Sequence, residues 1–333
     1  MKSLSIQLEG KVMRNVILSA VTLAAVLNAA PALALNAKSY VSNGGSDGNS
    51  CASPAAACAT FQGAHDKTAP GGEISVVNTG SYGTMFIQKS IDITNDGAGE
   101  ASVLVPSGAQ GIFLAAAAGD VVGLRGLVVD GQGPGLYGMQ VALASAVHVQ
   151  KCVFRNFEAL NGTGIAVLGQ TNVQVFISDT IVFNNGSNPQ SGGIIILTSA
   201  GVGAHVVLDR VHLENNVIGL WVDGTSAAGN GSHVVIRNSV VSGNAGDGIL
   251  AVSAPGKAPA FIVVEQTASV NNAGTGIKAD GPGATILLND NTVVRNGVGL
   301  AVANGGQLIS YGNNKVNNNL GPDGAPTGNY SPL

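Results

Sequence analysis

Short runs of alternating apolar and polar residues recur along the chain, and each run is typical of a half-buried β-strand. Residues 205–232, HVVLDRVHLENNVIGLWVDGTSAAGNGS, contain three such runs, at 206–209, 211–214 and 219–222. A tight turn at Asn216 separates the second run from the third, whereas Gly, Ser and Ala fill a longer return to the next unit. Three short strands with their turns predict one coil of a parallel β-helix.

Two sequence markers repeat in step with this pattern and predict many coils. The first marker is a glycine followed by Ile, Leu or Met, and the second is an asparagine that ends an apolar run. The glycines recur every 23 to 29 residues, at Gly111, Gly138, Gly164, Gly193, Gly219, Gly248, Gly276 and Gly299. The asparagines are Asn156, Asn185, Asn216, Asn244, Asn272, Asn296 and Asn319.

Stacked coils would place like residues in columns at ~4.8 Å, the spacing of neighbouring strands. We expect Ile165, Ile194, Leu220 and Ile249 to lie over one another in an aliphatic core, because each follows a marker glycine. The marker asparagines tolerate turn geometry, and their amides can bond the asparagine of the next coil. A single coil cannot bury its inner face alone, so both ends of the stack need covers.

Residues 1–34 are predicted to be a secretory signal peptide, with Arg14 before an apolar run and a small-residue cleavage site at 32–34. The start of translation, at Met1 or Met13, is left open. No later apolar run approaches the length of a membrane helix. These features predict a secreted or periplasmic protein without a membrane span after removal of the signal.

The N-terminal part of the mature chain predicts a cap with one short helix. Ala57, Phe61 and Ala64 share one face of that helix, and Pro70-Gly71-Gly72 is expected to end it. The predicted segments after the signal peptide are an N-terminal cap at 35–72, the β-helix at 73–319, and a C-terminal cap or tail at 320–333.

Composition narrows the choice of partner and compartment. Removing residues 1–34 takes away three of the 15 basic and one of the 19 acidic residues, which leaves a net charge near −6 and argues against nucleic acid. Cys51 and Cys58 lie close together in the exported part, where a disulfide is permitted, and we expect them to close a small loop. Cys152 lies in an apolar run and is predicted to be a small buried hydrophobe.

The repeat resembles the right-handed parallel β-helix family with the pectin-lyase-like architecture, in its exported bacterial members, over roughly residues 38–325. The resemblance implies an all-β fold, a right-handed single-stranded parallel β-helix of about 8–10 coils with a short N-terminal capping helix. It also implies an asparagine ladder between the second and third strands. Members of this family include lyases, hydrolases, epimerases, adhesins and scaffolds, so the sites must decide the function.

One column of first-strand residues carries the candidates for catalysis. Seven residues before the marker asparagines lie Ser178, Asp209, Arg237, Glu265 and Asn289. Two carboxylates beside an arginine suit proton abstraction next to a uronate, and His212 joins the candidates Asp209, Arg237 and Glu265 under that interpretation. The alternative is a ladder of salt bridges in which each charge neutralises its neighbour. The Gly-His-Gly of the family's hydrolases is absent from the sequence.

A second outward column contains the candidate ligand site. Two residues after each marker glycine lie Phe113, Gln140, Ala166, Ile195, Trp221, Leu250, Lys278 and Ala301. A sugar ring could stack on Trp221 and bond Asp223, Lys278 and Asp280; alternatively, Trp221 packs under its own return loop. His205 and His233 begin equivalent strands and are predicted to stack at the surface rather than to bind a metal, because no third ligand is evident.

The sequence thus predicts an exported β-helix protein that binds a polysaccharide or cell-envelope glycan, or serves as a scaffold, without a legible catalytic set or cofactor. The alternative is a polysaccharide lyase or epimerase that acts on an acidic, uronate-containing glycan, and calcium belongs to that alternative alone. Whether the protein is an enzyme, which glycan it meets, and its oligomeric state are left open.

Overall fold

The chain winds into successive coils whose strands form three parallel sheets in the computed structural model. The structure describes residues 34–197, 199–226 and 228–330. The predicted signal peptide, apart from Ala34, therefore lies outside the described residues. Sheets 1, 2 and 3 collect the first, second and third strands of the coils, so the predicted parallel β-helix is confirmed.

Within the described residues, the three sheets contain twelve, ten and nine strands. Sheet 1 consists of Asn36–Val41, Thr68–Val76, Ile91–Thr94, Val121–Arg125, Ala146–Gln150, Val173–Ser178, Gly203–Asp209, Gly231–Arg237, Ala260–Glu265, Ala284–Asn289, Gln307–Ser310 and Gly328–Asn329. Sheet 2 consists of Gly80–Ser81, Ala101–Leu104, Leu127–Gly133, Val153–Phe157, Ile181–Phe183, His212–Glu214, Val240–Ser242, Ala268–Val270, Thr292–Val294 and Lys315–Asn317. Sheet 3 consists of Met85–Ile87, Gln110–Ala115, Tyr137–Leu143, Thr163–Val167, Gly192–Leu197, Ile218–Asp223, Ile249–Val252, Thr275–Asp280 and Val298–Ala303.

Strand register produces the predicted aliphatic columns. Ile165 pairs with Ile194, Ile194 with Leu220, and Leu220 with Ile249 on successive coils. All four side chains are fully buried. Because a strand alternates its side chains between two faces, the residues between these positions point outward and form the columns on the surface.

The asparagine ladder is present in the turn between sheets 2 and 3. The Nδ2 atom of Asn244 donates to Oδ1 of Asn272 at 2.7 Å, and Asn272 donates in the same way to Asn296 at 2.8 Å. The ladder ends at Asp323, whose Oδ1 accepts from Nδ2 of Asn319 at 2.8 Å. These bonds satisfy amides that would otherwise be buried without partners.

The prediction that Asn156 belongs to this ladder is wrong. Phe157 occupies the inward position of that coil, and its backbone N–H donates to Oδ1 of Asn185 at 3.2 Å. Asn156 instead has a left-handed backbone with φ 61°, and its side chain donates to Asp130 at 3.0 Å and accepts from Asn184 at 2.8 Å. The coil is offset by one residue, because the buried Phe157 ring replaces the amide in the core.

The marker glycines pack above the ladder at distances that exclude a side chain. A Cβ atom on Gly219 would lie 2.5 Å from the carbonyl oxygen of Gly248 and 3.1 Å from Nδ2 of Asn244. Gly164 and Gly193 meet the next marker glycine and the ladder in the same way. Close contact between successive coils therefore explains why this marker recurs.

A second row of inward polar groups fills the turn between sheets 1 and 2. The backbone N–H of Thr267 donates to Oδ1 of Asn291 at 3.0 Å, and Asn291 donates to Asn314 at 2.9 Å. Cys152 occupies the equivalent position near the start of this row, where its N–H bonds Oγ1 of Thr180. Cys152 is buried as predicted, and its burial raises the pKa of the thiol to about 11.

The N-terminal cap contains a 3-10 turn at Pro54–Ala56 and an α-helix at Phe61–Lys67. Ala57 lies outside the helix, contrary to the prediction, because Thr60 is the N-cap and its hydroxyl accepts from the Gly63 N–H. The helix also ends before Pro70-Gly71-Gly72, since the strand Thr68–Val76 begins at once and contains that tripeptide.

The cap covers the first coil with apolar side chains. Phe61 and Ala64 are fully buried, and the Phe61 ring packs on Tyr82 with ring centroids 5.1 Å apart. Cys51 and Cys58 form the predicted disulfide. In the part of the chain that the structure describes, no helix is long and apolar enough to cross a membrane.

The C-terminal segment folds back over the last coil. The backbone N–H of Gly299 donates to the Pro322 carbonyl at 2.9 Å, and that of Leu300 donates to Asp323 at 2.8 Å. Gly328–Asn329 then adds a short strand to sheet 1. These contacts occupy backbone groups of the final strands of sheets 1 and 3.

Candidate functional site

The predicted charged column lies on the outward face of sheet 1. Ser178, Asp209, Arg237, Glu265 and Asn289 pair in register on successive coils. Each lies one residue after a buried aliphatic side chain, such as Leu208 before Asp209, which sends it to the outside.

Asp209 is held by three donors. Its Oδ1 accepts from Nδ2 of Asn238 at 3.0 Å and lies 3.3 Å from Nε of Arg237, and its Oδ2 accepts from Nη1 of Arg210 at 2.5 Å. The hydrogen bond from Asn238, together with the charges of Arg210 and Arg237, outweighs burial and lowers the pKa of this carboxyl. A carboxylate stabilised in this way is a weak general base.

The other three catalytic candidates do not converge on one point. Arg237 pairs with Asp209, whereas Oε1 of Glu265 accepts from Nδ2 of Asn289 at 2.9 Å. His212 lies around the turn on sheet 2, where its Nδ1 is 2.9 Å from Oε1 of Glu214. The geometry favours the interpretation of this column as a ladder of ion pairs and amide bonds.

The turn after sheet 1 extends that ladder. Arg210 has a left-handed backbone with φ 53°, which directs its guanidinium back across the coils to Asp179 at 2.7 Å from Nε. Arg210 therefore bridges Asp179 and Asp209. With Arg237, which also pairs with Asp209, the network contains two carboxylates and two guanidinium groups, whose charges balance without a ligand.

The second predicted column lies on the outward face of sheet 3. Trp221 pairs in register with Ile195 on one side and Leu250 on the other. These two neighbours are each 8% exposed, whereas Trp221 is half-buried. The column continues to Lys278 and Ala301 as predicted.

Trp221 borders a surface depression of about 290 Å³. Ala166 and Ile195 from the same column also line it, beside polar groups from the strand starts and from a neighbouring turn. Its lining residues are Tyr137, Asn161, Thr163, Ala166, Leu168, Gln190, Ile195, Leu197, Trp221 and Asp223. Such a mixture of apolar surface and a few polar groups is typical of small-ligand sites.

Two buried polar atoms on this column lack a partner in the described part of the chain. They are Nε1 of Trp221 and Oε1 of Gln140. A buried polar atom without a hydrogen bond costs about 1–3 kcal/mol.

The three charged residues predicted to accompany Trp221 divide into two groups. Asp223 lines the depression, and its Oδ1 accepts from the Thr225 N–H at 2.7 Å. Lys278 and Asp280 lie two coils further along and pair with each other, with Nζ 3.4 Å from Oδ2. The structure thus joins Asp223 directly to the Trp221 site and places the other two on the same face beyond it.

Sequence reasoning missed an aromatic pair at the N-terminal end of the same column. Phe86 and Phe113 pair in register and their rings stack, with centroids 5.2 Å apart and planes 14° from parallel. They line a second depression of about 580 Å³ together with Gln62, Thr84, Met85, Gly108, Ala109 and Gln110. The repeat pattern does not identify Phe86 as a member of this column, because its strand lacks the marker glycine.

His205 and His233 stack at the surface of sheet 1 as predicted, with ring centroids 5.3 Å apart. They line a depression of about 520 Å³ with Gln174, Asn172 and Asn230 among its other residues. Among the described residues, no group of three or more His, Cys, Asp or Glu side chains could hold a metal ion.

Comparisons with known proteins agree with this architecture. The family model described as right handed beta helix region matches residues 110–320. No curated protein matches the sequence.

The solved structures that resemble the chain include the following three. The crystal structure of pectate lyase Pel9A is 16% identical with a TM-score of 0.56, covering 84% of this chain and 75% of that chain. The Azotobacter vinelandii mannuronan C-5 epimerase AlgE4 A-module is 15% identical with a TM-score of 0.41, covering 74% and 81%. A rhamnogalacturonan lyase is 13% identical with a TM-score of 0.40, covering 85% and 87%.

The family model spans more than half of the chain, and the matched segment winds as three parallel sheets. The protein therefore belongs to the right-handed β-helix family, with the pectin-lyase-like architecture.

Proposed function

We propose that the protein is exported and binds a polysaccharide on the outward face of sheet 3. The observation that carries this proposal is the depression of about 290 Å³ that the half-buried Trp221 ring borders together with Asp223 and several amide and hydroxyl groups. A polysaccharide offers apolar ring faces for the indole and hydroxyl groups for the polar side chains that line the depression.

Each side of the depression supplies a different contact. The Trp221 ring would pack on the apolar face of a sugar, while Asp223 accepts from a sugar hydroxyl. On the opposite side, the Tyr137 hydroxyl and the amides of Asn161 and Gln190 can both donate and accept. A few polar groups around an apolar floor would fix the orientation of the ligand.

Binding is favoured over cleavage by the state of the charged column. Asp209 is surrounded by Asn238, Arg210 and Arg237, which lower its pKa and occupy its oxygens. A base for proton abstraction would need a free oxygen and a pKa nearer the working pH. We therefore assign Asp209, Arg237 and Glu265 to stability, and His212 to the surface of sheet 2.

Export and a glycan ligand are supported by separate observations. The Cys51–Cys58 disulfide suits an oxidising compartment, as the predicted signal peptide does. The solved structure with the higher TM-score is named a pectate lyase, which supports a glycan as the class of ligand.

Tryptophan fluorescence tests the proposal directly, because Trp221 is the single tryptophan of the chain. Titration with a panel of uncharged and uronate oligosaccharides is expected to change the emission for at least one of them. Calorimetry should show that Trp221→Ala abolishes this binding. The matched control Phe176→Ala removes an exposed aromatic from sheet 1 and should leave affinity unchanged.

The lyase alternative has its own assay. Incubation with pectate and alginate, with calcium, at neutral and alkaline pH would raise ultraviolet absorbance if unsaturated products formed. We expect no increase. An increase that Asp209→Asn abolishes would transfer the function to sheet 1 and overturn the assignment of that column.

A further inference from the structure

We infer that the outward face of sheet 3 binds an uncharged glycan chain that runs along the stack of coils and meets a second aromatic subsite at Phe86 and Phe113. The inference rests on the proposed function, because it extends the Trp221 site toward the N-terminal cap. It adds the direction, the length and the charge class of the ligand.

The two aromatic subsites belong to one straight column. Phe113 pairs with Gln140, which pairs with Ala166, and the column then continues through Ile195 to Trp221. Phe113 and Trp221 are thus four coils apart, or about 19 Å at ~4.8 Å per coil. A ligand that contacts both must extend along the column rather than across it.

The rise of a coil is close to the rise of one sugar residue in an extended glycan. A chain laid along the column would therefore place one sugar against each coil, and about five sugars would reach from Phe113 to Trp221 at the coil spacing of ~4.8 Å. The periodic match lets successive sugars meet the same column of positions without strain.

The residues between the subsites fit such a chain. Gln140 lies in the column between Phe113 and Ala166, and the amide nitrogen of this half-buried residue can donate to a sugar hydroxyl. Ala166 is small and buried, and it lines the depression that Trp221 borders, so it leaves room for a sugar ring. Polar side chains flank both ends, with Gln62 and Gln110 near Phe113 and Gln190 near Trp221.

The charges on this face argue against a polyuronate. Among the described residues that line the two depressions, Asp223 is the single charged side chain, and it is acidic. Lys278, the nearest basic residue of the column, is paired with Asp280. A chain with one carboxylate per sugar would meet no free cation along this column and would be repelled by Asp223.

A length series tests the inference. Cello-oligosaccharides and N-acetylglucosamine oligomers, from disaccharide to hexasaccharide, are titrated by fluorescence and calorimetry, beside oligogalacturonates of equal length. We expect one uncharged series to bind, with affinity for the hexasaccharide at least tenfold above that for the disaccharide. The oligogalacturonates should bind at least tenfold more weakly at equal length.

Variants locate the second subsite. Phe113→Ala and Phe86→Ala should weaken hexasaccharide binding by about fivefold to tenfold, the loss of one stacking contact, and leave disaccharide binding at Trp221 unchanged. Phe176→Ala on sheet 1 is the control, and thermal midpoints confirm that each variant is folded.

The outcomes separate the two proposals. No fluorescence response to any glycan would remove the proposed function and the inference together. A response with equal affinity for short and long oligomers, or with no effect of Phe113→Ala, would remove the second subsite while the Trp221 site stands. Tighter binding of oligogalacturonates would overturn the uncharged class alone.

Discussion

At the scale of single residues, the surface of this solenoid is set by which partner each polar side chain finds. The position of Asp209 in the charged column of sheet 1 makes it a candidate base. In the structure, its carboxylate oxygens bond Asn238, Arg210 and Arg237. The column does not predict Arg210 as a partner of Asp209, because Arg210 lies in the turn, where its left-handed backbone directs the side chain back across the coils. Sequence periodicity predicts the column in which a residue lies. It does not predict which residue of a neighbouring turn will pair with it.

The depressed pKa of Asp209 predicts a pH-dependent contribution to stability. Its folded pKa lies below the unfolded value of about 3.9, so the contribution is present above that value and is lost as the pH falls through the folded pKa. At pH 6, Asp209→Asn should lower the free energy of unfolding by up to about 1 kcal/mol, because the two arginine partners are half-exposed.

Denaturant unfolding between pH 6 and pH 2 measures this effect. The difference in unfolding free energy between wild type and Asp209→Asn should narrow toward the acid end of this range. Asp290→Asn, the same change at an exposed turn residue, is the control and should alter stability little at either pH. An equal gap at all pH values would contradict the ion-pair account of the column.

At the scale of strands and turns, alternation and spacing predicted most of the architecture. The columns through Ile165 and Trp221 follow from period two and from the marker glycines, whose carbonyl contacts leave no room for a side chain. Asn156 broke the pattern because Phe157 fits the same inward position. The helix began later than its apolar spacing suggested, because Thr60 caps it.

The site was less predictable than the fold for a related reason. The position of Trp221 on sheet 3 follows from register, but the depression beside it also depends on Asn161 and Gln190 in irregular turns. These turns vary in length from coil to coil, so the sequence repeat does not predict their conformation. The Phe86 subsite was missed because its coil lacks the marker glycine.

A buried asparagine of the ladder should contribute much more to the free energy of unfolding than a surface asparagine does. Asn272 is buried, and its Oδ1 accepts from the side-chain amide and the backbone N–H of Asn244. Replacing Asn272 by alanine removes this acceptor and the hydrogen bond that its own Nδ2 donates to Asn296. Leaving such groups unsatisfied costs about 1–3 kcal/mol each, so Asn272→Ala should lower the free energy of unfolding by about 2–4 kcal/mol.

The preceding residue offers a matched control. Asn271 is exposed and has a left-handed backbone with φ 57°, which glycine adopts without strain. Asn271→Gly should therefore change the denaturation midpoint little. Equal losses for the two variants would mean that the ladder contributes through turn geometry rather than through its amide bonds.

At the scale of the whole molecule, the coils contact only their neighbours, and stability is approximately a sum of coil and interface contributions. Residue pairs along each sheet join successive coils, and sheet 1 runs from the strand Asn36–Val41 to the strand Gly328–Asn329. A destabilising substitution in one coil should therefore increase local unfolding in that coil and its neighbours, and it should have less effect on distant coils. The cap and the middle of the stack can be tested separately through their cysteines.

Removing the Cys51–Cys58 disulfide should loosen the cap without unfolding the middle coils. The bond closes a loop with a sequence separation of 7, for which the chain-entropy estimate is about 2.5 kcal/mol. The loop is tied to the first strand through backbone bonds from Tyr40 to Cys51 and from Cys58 to Tyr40. In Cys51→Ser/Cys58→Ser, hydrogen exchange should rise in Asn36–Val41 and Thr68–Val76 and stay unchanged in Gly203–Asp209. Cys152→Ala is the internal comparison, because it should raise hydrogen exchange around Val153–Phe157 and leave exchange in the cap unchanged. A uniform rise in hydrogen exchange along the chain in either variant would show that the solenoid opens as one cooperative body.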